Sequence, residues 1–323
     1  MSEISAAIGF NLIVISPTIA LVGTALALLF FTITIESNEI VKKSITFMGM
    51  LITSFCVFLK FGLFFENGIS SYFTQKILLD EFSLFGNVLI SLILLFNFLP
   101  IWDSSKQLKE KTTEAIILTL MSASGFMLMV DSENLIMLFI GLEIGSISLY
   151  ALAGLNRVDK LSNEASLKYF LLGSLASCIL IYGVSLVYVS FSVFSVYNFA
   201  LGIAYVGPDS VPLTTSIGVL LIFIGLLFKI AAAPFQSWAP DVYQGSPTGY
   251  VGFMSSIAKV SSFIVIARLC LVSINFIIED FNTFFLIVII SSALIGSLFA
   301  SIQEDLKRLL AYSGVVQSGF ILS

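Results

Sequence analysis

Apolar residues occupy this chain in long blocks parted by short polar interruptions. Ten blocks predict helices at about 11–35, 44–65, 83–101, 112–130, 134–155, 163–192, 214–243, 249–273, 282–303 and 305–323. Each approaches or exceeds the roughly 18 residues at which an apolar run reads as a membrane-crossing helix. The sixth and seventh are long enough to be tilted or interrupted. Small residues within the blocks, Gly141 with Gly145 and Gly173 with Ser177, allow helices to approach closely. The pattern predicts an all-α polytopic membrane protein of about ten transmembrane helices.

Composition sharpens this reading. The chain of 323 residues is 58% hydrophobic and 11% charged, with a mean hydropathy of +1.06, whereas soluble domains carry about 25% charged residues. No basic patch suits a nucleic acid. The start, MSEISAAIGFNLIVIS, has neither the basic region and cleavage pattern of a secretory signal nor the arginines of a transit peptide. Cys56, Cys178 and Cys270 lie far apart within apolar segments and histidine is absent, which argues against a disulfide framework, a zinc site, an iron–sulfur centre or haem in this chain. No metal site is expected.

Loop charges predict the orientation. Nine basic residues, Lys42, Lys43, Lys106, Lys109, Lys111, Arg157, Lys160, Lys307 and Arg308, fall in odd-numbered loops, against Lys76 alone in the even-numbered ones, where Asp80, Asp131, Glu133 and Asp209 also lie. The positive-inside rule then places the odd loops on the cytoplasmic or matrix side and the N-terminus outside.

Six ionisable residues remain within spans: Lys60, Glu143, Lys168, Lys229, Lys259 and Arg268. Each costs at least about 2.5–3.5 kcal/mol at the bilayer centre and so needs a reason. Arg268 and Lys60 lie near helix ends, where a long side chain can snorkel to the interface. Glu143 is mid-span, flanked by glycines, and a nearby cation would favour its charged form. Lys168, on the next helix, is the nearest candidate in sequence. As pure structure such a pair stabilises little, because desolvation offsets most of the attraction. Lys259 has no acid in its own helix and Lys229 has none close by in sequence, and a lysine so placed can load and release a proton.

Lys229 is followed five residues later by Pro234. Proline has no N–H, so the carbonyl of Ile230 loses its helical partner, and Pro240 is expected to repeat the effect on Gln236. The helix should break just after the lysine. Freed carbonyls would then lie beside the ammonium at the end of a half-helix. Such breaks are tolerated at membrane depth where they line an enclosed or hydrated path.

Four ordered blocks carry a family resemblance: FIGLEIGSISLYALAGLNR, NEASLKYFLLGSLAS, FKIAAAPFQSWAPDVYQGSPT and EDLKRLLAYSGVVQSGF. They resemble NADH dehydrogenase subunit 2, an antiporter-like membrane-arm subunit of respiratory complex I. The resemblance implies three leading helices over 1–111, a complete first five-helix repeat over 112–273 with a broken seventh helix, and the first two helices of an incomplete second repeat over 274–323. It implies proton translocation through Glu143 and Lys168 as the family's glutamate–lysine pair, Lys229 as the lysine of the broken helix, and Lys259 as the bridging lysine. NADH, FMN, iron–sulfur clusters and ubiquinone would be bound by other subunits, with no cofactor in this chain.

Three departures stand out. Gln236 and Gln317 occupy positions where the family commonly has histidine, so a relay here would do without imidazole. Ala258 precedes Lys259 where a proline is common, so no break is expected in the eighth helix. The second broken helix is absent, and a separate chain supplying the remaining helices is expected as a partner, beside other membrane-arm subunits and lipids. The expected location is the mitochondrial inner membrane with the N-terminus toward the intermembrane space, or a bacterial inner membrane. The competing function is a subunit of a multisubunit cation/proton antiporter, whose members share the broken helix and lysines.

Overall fold

The computed structural model describes residues 2–34, 39–73, 76–107, 112–207, 210–275 and 277–323. Lys109, Lys111 and Asp209, which entered the orientation argument, lie outside the described residues. Twelve α-helices are found among the described residues, eight of them long and apolar enough to cross a membrane. They divide between two compact units, residues 1–155 with 248–264, and residues 156–247 with 265–323.

The first unit contains α1 (Ser2–Thr34), α2 (Glu39–Asn67), α3 (Glu81–Gln107), α4 (Thr112–Asp131), α5 (Leu135–Ala153) and most of α10 (Thr248–Arg268). Helices α4 and α5 pack closely because glycines meet at their crossing. A methyl group on Gly141 would lie 2.5 Å from the backbone nitrogen of Met129, and one on Gly145 would run into the ring of Phe126. Ser122 Oγ donates to the Gly145 carbonyl at 3.1 Å across the same seam. Asn134 starts α5 by accepting the Ile136 N–H at 2.9 Å, which satisfies one of the orphan donors of the first turn.

Between α2 and α3 the hydrophobic pattern predicts only a loop, and the structure has a small antiparallel pair of strands there. Strands β1 (Ser70–Tyr72) and β2 (Ile77–Leu79) pair with Ser70 opposite Leu79 and Tyr72 opposite Ile77. Ile77 and Leu79 point into a buried cluster with Val14, Leu63 and Leu84. Ile77 also bridges to Ser132, just past α4.

The second unit holds α6 (Lys160–Phe191), α7 (Val196–Val206), α8 (Leu213–Lys229), α9 (Trp238–Gly245), α11 (Asn282–Ser301) and α12 (Leu306–Leu322), with the end of α10 and the π-helical turn Leu269–Ser273. Glycines again set the closest approach: a methyl on Gly183 of α6 would sit 2.5 Å from the Gly218 carbonyl of α8. The unexpected α7 has 11 residues, about 16 Å of helix at 1.5 Å per residue, roughly half a hydrocarbon core. It buries Val196, Phe199, Ala200 and Ile203 and exposes Tyr197, Leu201 and Tyr205. Helix α12 stands where the tenth span was expected. Its 17 residues make about 26 Å of helix, somewhat less than a full hydrocarbon thickness of about 30 Å.

Candidate functional site

The seventh apolar block is interrupted where Lys229 and Pro234 foretold it. Helix α8 ends at Lys229 and α9 starts at Trp238. The end of α8 is a Schellman turn: the Ala231 N–H donates to the Phe228 carbonyl at 3.0 Å and the Ala232 N–H to the Leu227 carbonyl at 3.1 Å. Ala231 takes the left-handed conformation this turn demands, with φ of 56°, where glycine is the usual occupant. The role expected of Pro240 is corrected. It is the third residue of α9, inside a first turn where a missing N–H removes no intrahelical bond. Only Pro234 lies in the interruption, and the Gln236 carbonyl accepts from the Ala239 N–H at 3.0 Å.

An opened helix exposes polar backbone, and here side chains from three other helical segments satisfy it. Ser318 of α12 donates toward the Ile230 carbonyl at 2.9 Å, sharing its proton with the Gly314 carbonyl. Ser292 of α11 accepts the Ala233 N–H at 2.9 Å, and Ser291 reaches the Ala233 carbonyl at 3.1 Å. Trp238 Nε1 donates to the Phe228 carbonyl at 3.1 Å, its ring stacked on Tyr169 and on Phe228. Residues Ile230 to Ala233 are fully buried. Non-helical backbone is thus sealed inside protein, the condition under which it survives at membrane depth.

Lys229 is 3% exposed, with Nζ 3.5 Å from the Ser177 hydroxyl of α6. The Oε1 of Gln236 is buried within the interruption and accepts no hydrogen bond from a described residue. A buried acceptor of this kind suits an ordered water. Lys168 lies two-fifths exposed on α6, in the same unit, with Nζ 2.7 Å from Glu164 and 2.7 Å from Asp241 of α9. Glu143 and Lys259, half-buried on α5 and α10, belong to the first unit. Helix α10 runs unbroken through Lys259, as the absence of a preceding proline predicted.

Asp241 accepts from two cations, since Arg308 of α12 lies 2.6 Å from its other oxygen. The start of α12 joins the cluster. Asp305 caps the helix by accepting the N–H groups of Lys307 and Arg308. The Arg308 amide does most to hold the Asp305 carboxyl below the usual carboxylate range, with the Lys307 amide and the Gln244 side chain adding to it. Lys307 Nζ donates to the Ser246 carbonyl at 2.8 Å.

Two snorkelling lysine or arginine side chains were expected, and neither is found. Arg268 is 2% exposed. Lys60 is completely buried, with Nζ 2.9 Å from both carboxylate oxygens of Asp131, and Asn87 donates to Asp131 at 2.6 Å. Near a helix end, burial with a partner won over extension to the interface. In sequence Asp131, the last residue of α4, looks like a loop charge; Asn87 within α3 is the signal of a buried polar neighbour.

Residues 132–323 match the family model described as NADH:quinone oxidoreductase/Mrp antiporter, transmembrane. NADH-quinone oxidoreductase subunit N of Trichlorobacter lovleyi is 34% identical over 316 residues, covering 97% of this chain and 63% of that protein. Subunit N of Flavobacterium psychrophilum is 34% identical over 279 residues, 86% of this chain and 60% of its own length. The chain therefore spans less than two thirds of these relatives. Among solved structures, a chain of respiratory complex I from Thermus thermophilus with bound aureothin superposes with a TM-score of 0.77 at 27% identity, covering 94% of this chain and 62% of that one. A chain of the Mrp complex from a Dietzia species shares the fold at a TM-score of 0.78 and 19% identity, over 96% of this chain and 58% of that one. The interrupted α8–α9 segment, with its sealed backbone and buried lysine, lies within the matched residues. This chain is a multi-pass membrane protein of the NADH:quinone oxidoreductase and Mrp antiporter transmembrane family.

Proposed function

We propose that this chain is a proton-translocating membrane-arm subunit of an NADH:quinone oxidoreductase, and that protons move by way of Glu143, Lys168, Lys229 and Lys259. The observation that carries the proposal is Lys229, 3% exposed at the very end of α8, beside an interruption that holds a buried acceptor without a partner among the described residues, Gln236 Oε1, suited to a water. A lysine buried there costs folding energy, and a transferable proton accounts for the cost. Quinone reduction elsewhere in the complex supplies the drive. NADH, FMN, iron–sulfur clusters and ubiquinone belong to other subunits, and this chain's part is to hold and pass protons.

Further helices, equivalent to the rest of the relatives' length, pack on α11 and α12, where Ile290, Leu294, Leu298 and Phe320 are exposed. The membrane is the mitochondrial inner membrane or its bacterial counterpart; the relatives reported above are bacterial. The family model's own description favours one second reading, a subunit of a cation/proton antiporter. Native gel electrophoresis of solubilised membranes separates the two. Comigration of this chain with NADH:quinone oxidoreductase activity is expected. A complex without that activity that exchanges sodium for protons in vesicles would overturn the proposal in favour of the second reading.

A further inference from the structure

Two helices brace the interrupted segment at the same two levels. On α6, Ser177 meets Lys229 and Lys168 meets Asp241; the two α6 residues are nine apart, about 13.5 Å along a helix. On α12, Ser318 meets the Ile230 carbonyl and Arg308 meets Asp241, ten residues apart or about 15 Å. Asp241 is the point where both braces converge. Its oxygens are divided, Oδ2 to Lys168 at 2.7 Å and Oδ1 to Arg308 at 2.6 Å.

The two cations have different alternatives. Arg308 is anchored without Asp241, by Gln303 Oε1 at 3.0 Å and Gln244 Oε1 at 3.1 Å. Among the described residues Lys168 has one other acid, Glu164, on its own helix and 58% exposed. Without Asp241 the Lys168 ammonium would follow Glu164 along the α6 surface, away from α9. The location of that ammonium is therefore decided by one carboxylate that also answers to α12.

We propose that Asp241 is the positioning residue for Lys168, and that Arg308 competes for Asp241, so that displacement of α12 changes how firmly Lys168 is held against the broken helix. The proposal rests on the proton-path reading of Lys168 for its functional meaning, but the positioning is testable apart from it. The neighbouring charges Asp305 and Lys307 are occupied with the α12 cap, Gln244 and the carbonyl groups at the end of α9, which fixes Arg308 at the junction.

The test is the rate at which a water-soluble amine reagent modifies Lys168 in the intact complex, read by mass spectrometry beside proton uptake per electron. Asp241→Asn should raise Lys168 labelling several-fold and lower proton uptake, and Asp241→Glu should restore both. Arg308→Gln should bring labelling below the wild-type rate, because Asp241 then serves Lys168 alone. Unchanged labelling in Asp241→Asn, or a rise in Arg308→Gln, would overturn the positioning role. Should the asparagine variant fail to assemble, the arginine variant still decides, since its labelling must fall. If labelling moves as stated while Asp241→Asn and Lys168→Met both pump normally, the positioning stands and the proton-path reading of Lys168 is what fails.

Discussion

Lys60 and Lys168 each bind an aspartate, at 2.9 and 2.7 Å, in surroundings of opposite character. The Lys60–Asp131 pair is closed. Both side chains are essentially inaccessible and Asn87 takes up a third place on the carboxylate. The Lys168–Asp241–Arg308 cluster is shared and between a quarter and two-fifths exposed, with a spare acid for the lysine and spare acceptors for the arginine. A pair of the first kind gains little net free energy by existing but is expensive to break from one side. A cluster of the second kind can be rearranged at small cost. Of these two groups, the firmly fixed charge is structural, and the charges with alternative partners gather at the end of the broken helix.

Breaking the closed pair should have the largest effect. Lys60→Met leaves Asp131 buried without its cation, and a loss of about 3–5 kcal/mol is expected, measured by thermal unfolding in detergent. Adding Asp131→Leu should recover most of that loss. If the single variant were as stable as wild type, the pair would not be the buried, closed unit described. Next comes the seal on the interruption. Ser318→Ala deprives the Ile230 carbonyl of its donor, and a buried unsatisfied acceptor costs about 1–3 kcal/mol. Ser297→Ala on α11, whose exposed hydroxyl bonds only carbonyls of its own helix, serves as the control. Smallest is the shared cluster: Asp241→Asn should cost about 0–1 kcal/mol in the same assay, although its effect on Lys168 labelling is large. A stability loss for Asp241→Asn as large as for Lys60→Met would erase the distinction between the two regions.

What could be read from the sequence follows the range of the interaction involved. Pro234 and the end of α8 at Lys229 were legible because a missing N–H acts on the residue four positions earlier, within one turn. Pro240 was misread by the same rule, because the rule does not hold in a first turn and the sequence does not mark where α9 begins. The Lys60–Asp131 pair joins residues 71 apart, and each looked like an ordinary charge near a helix end. Ser292 and Ser318 were silent for a different reason. A serine within a span usually bonds its own helix, as Ser318 also does with Gly314, so nothing distinguishes one that seals a neighbour's backbone. The hairpin at 70–79 and α7 are too short to dominate an apolar window, and their roles depend on what they cover.

Lys229, held at the end of an interrupted helix, is proposed to pass protons rather than merely to pack there. The most direct test is proton uptake per electron transferred from NADH in sealed vesicles containing the intact complex with Lys229→Met. Uptake per electron is expected to fall in Lys229→Met while the complex still assembles, and to fall likewise in Lys229→Arg, which keeps the charge but does not release a proton near neutral pH. An assembled Lys229→Met complex with wild-type uptake per electron would show that Lys229 passes no protons.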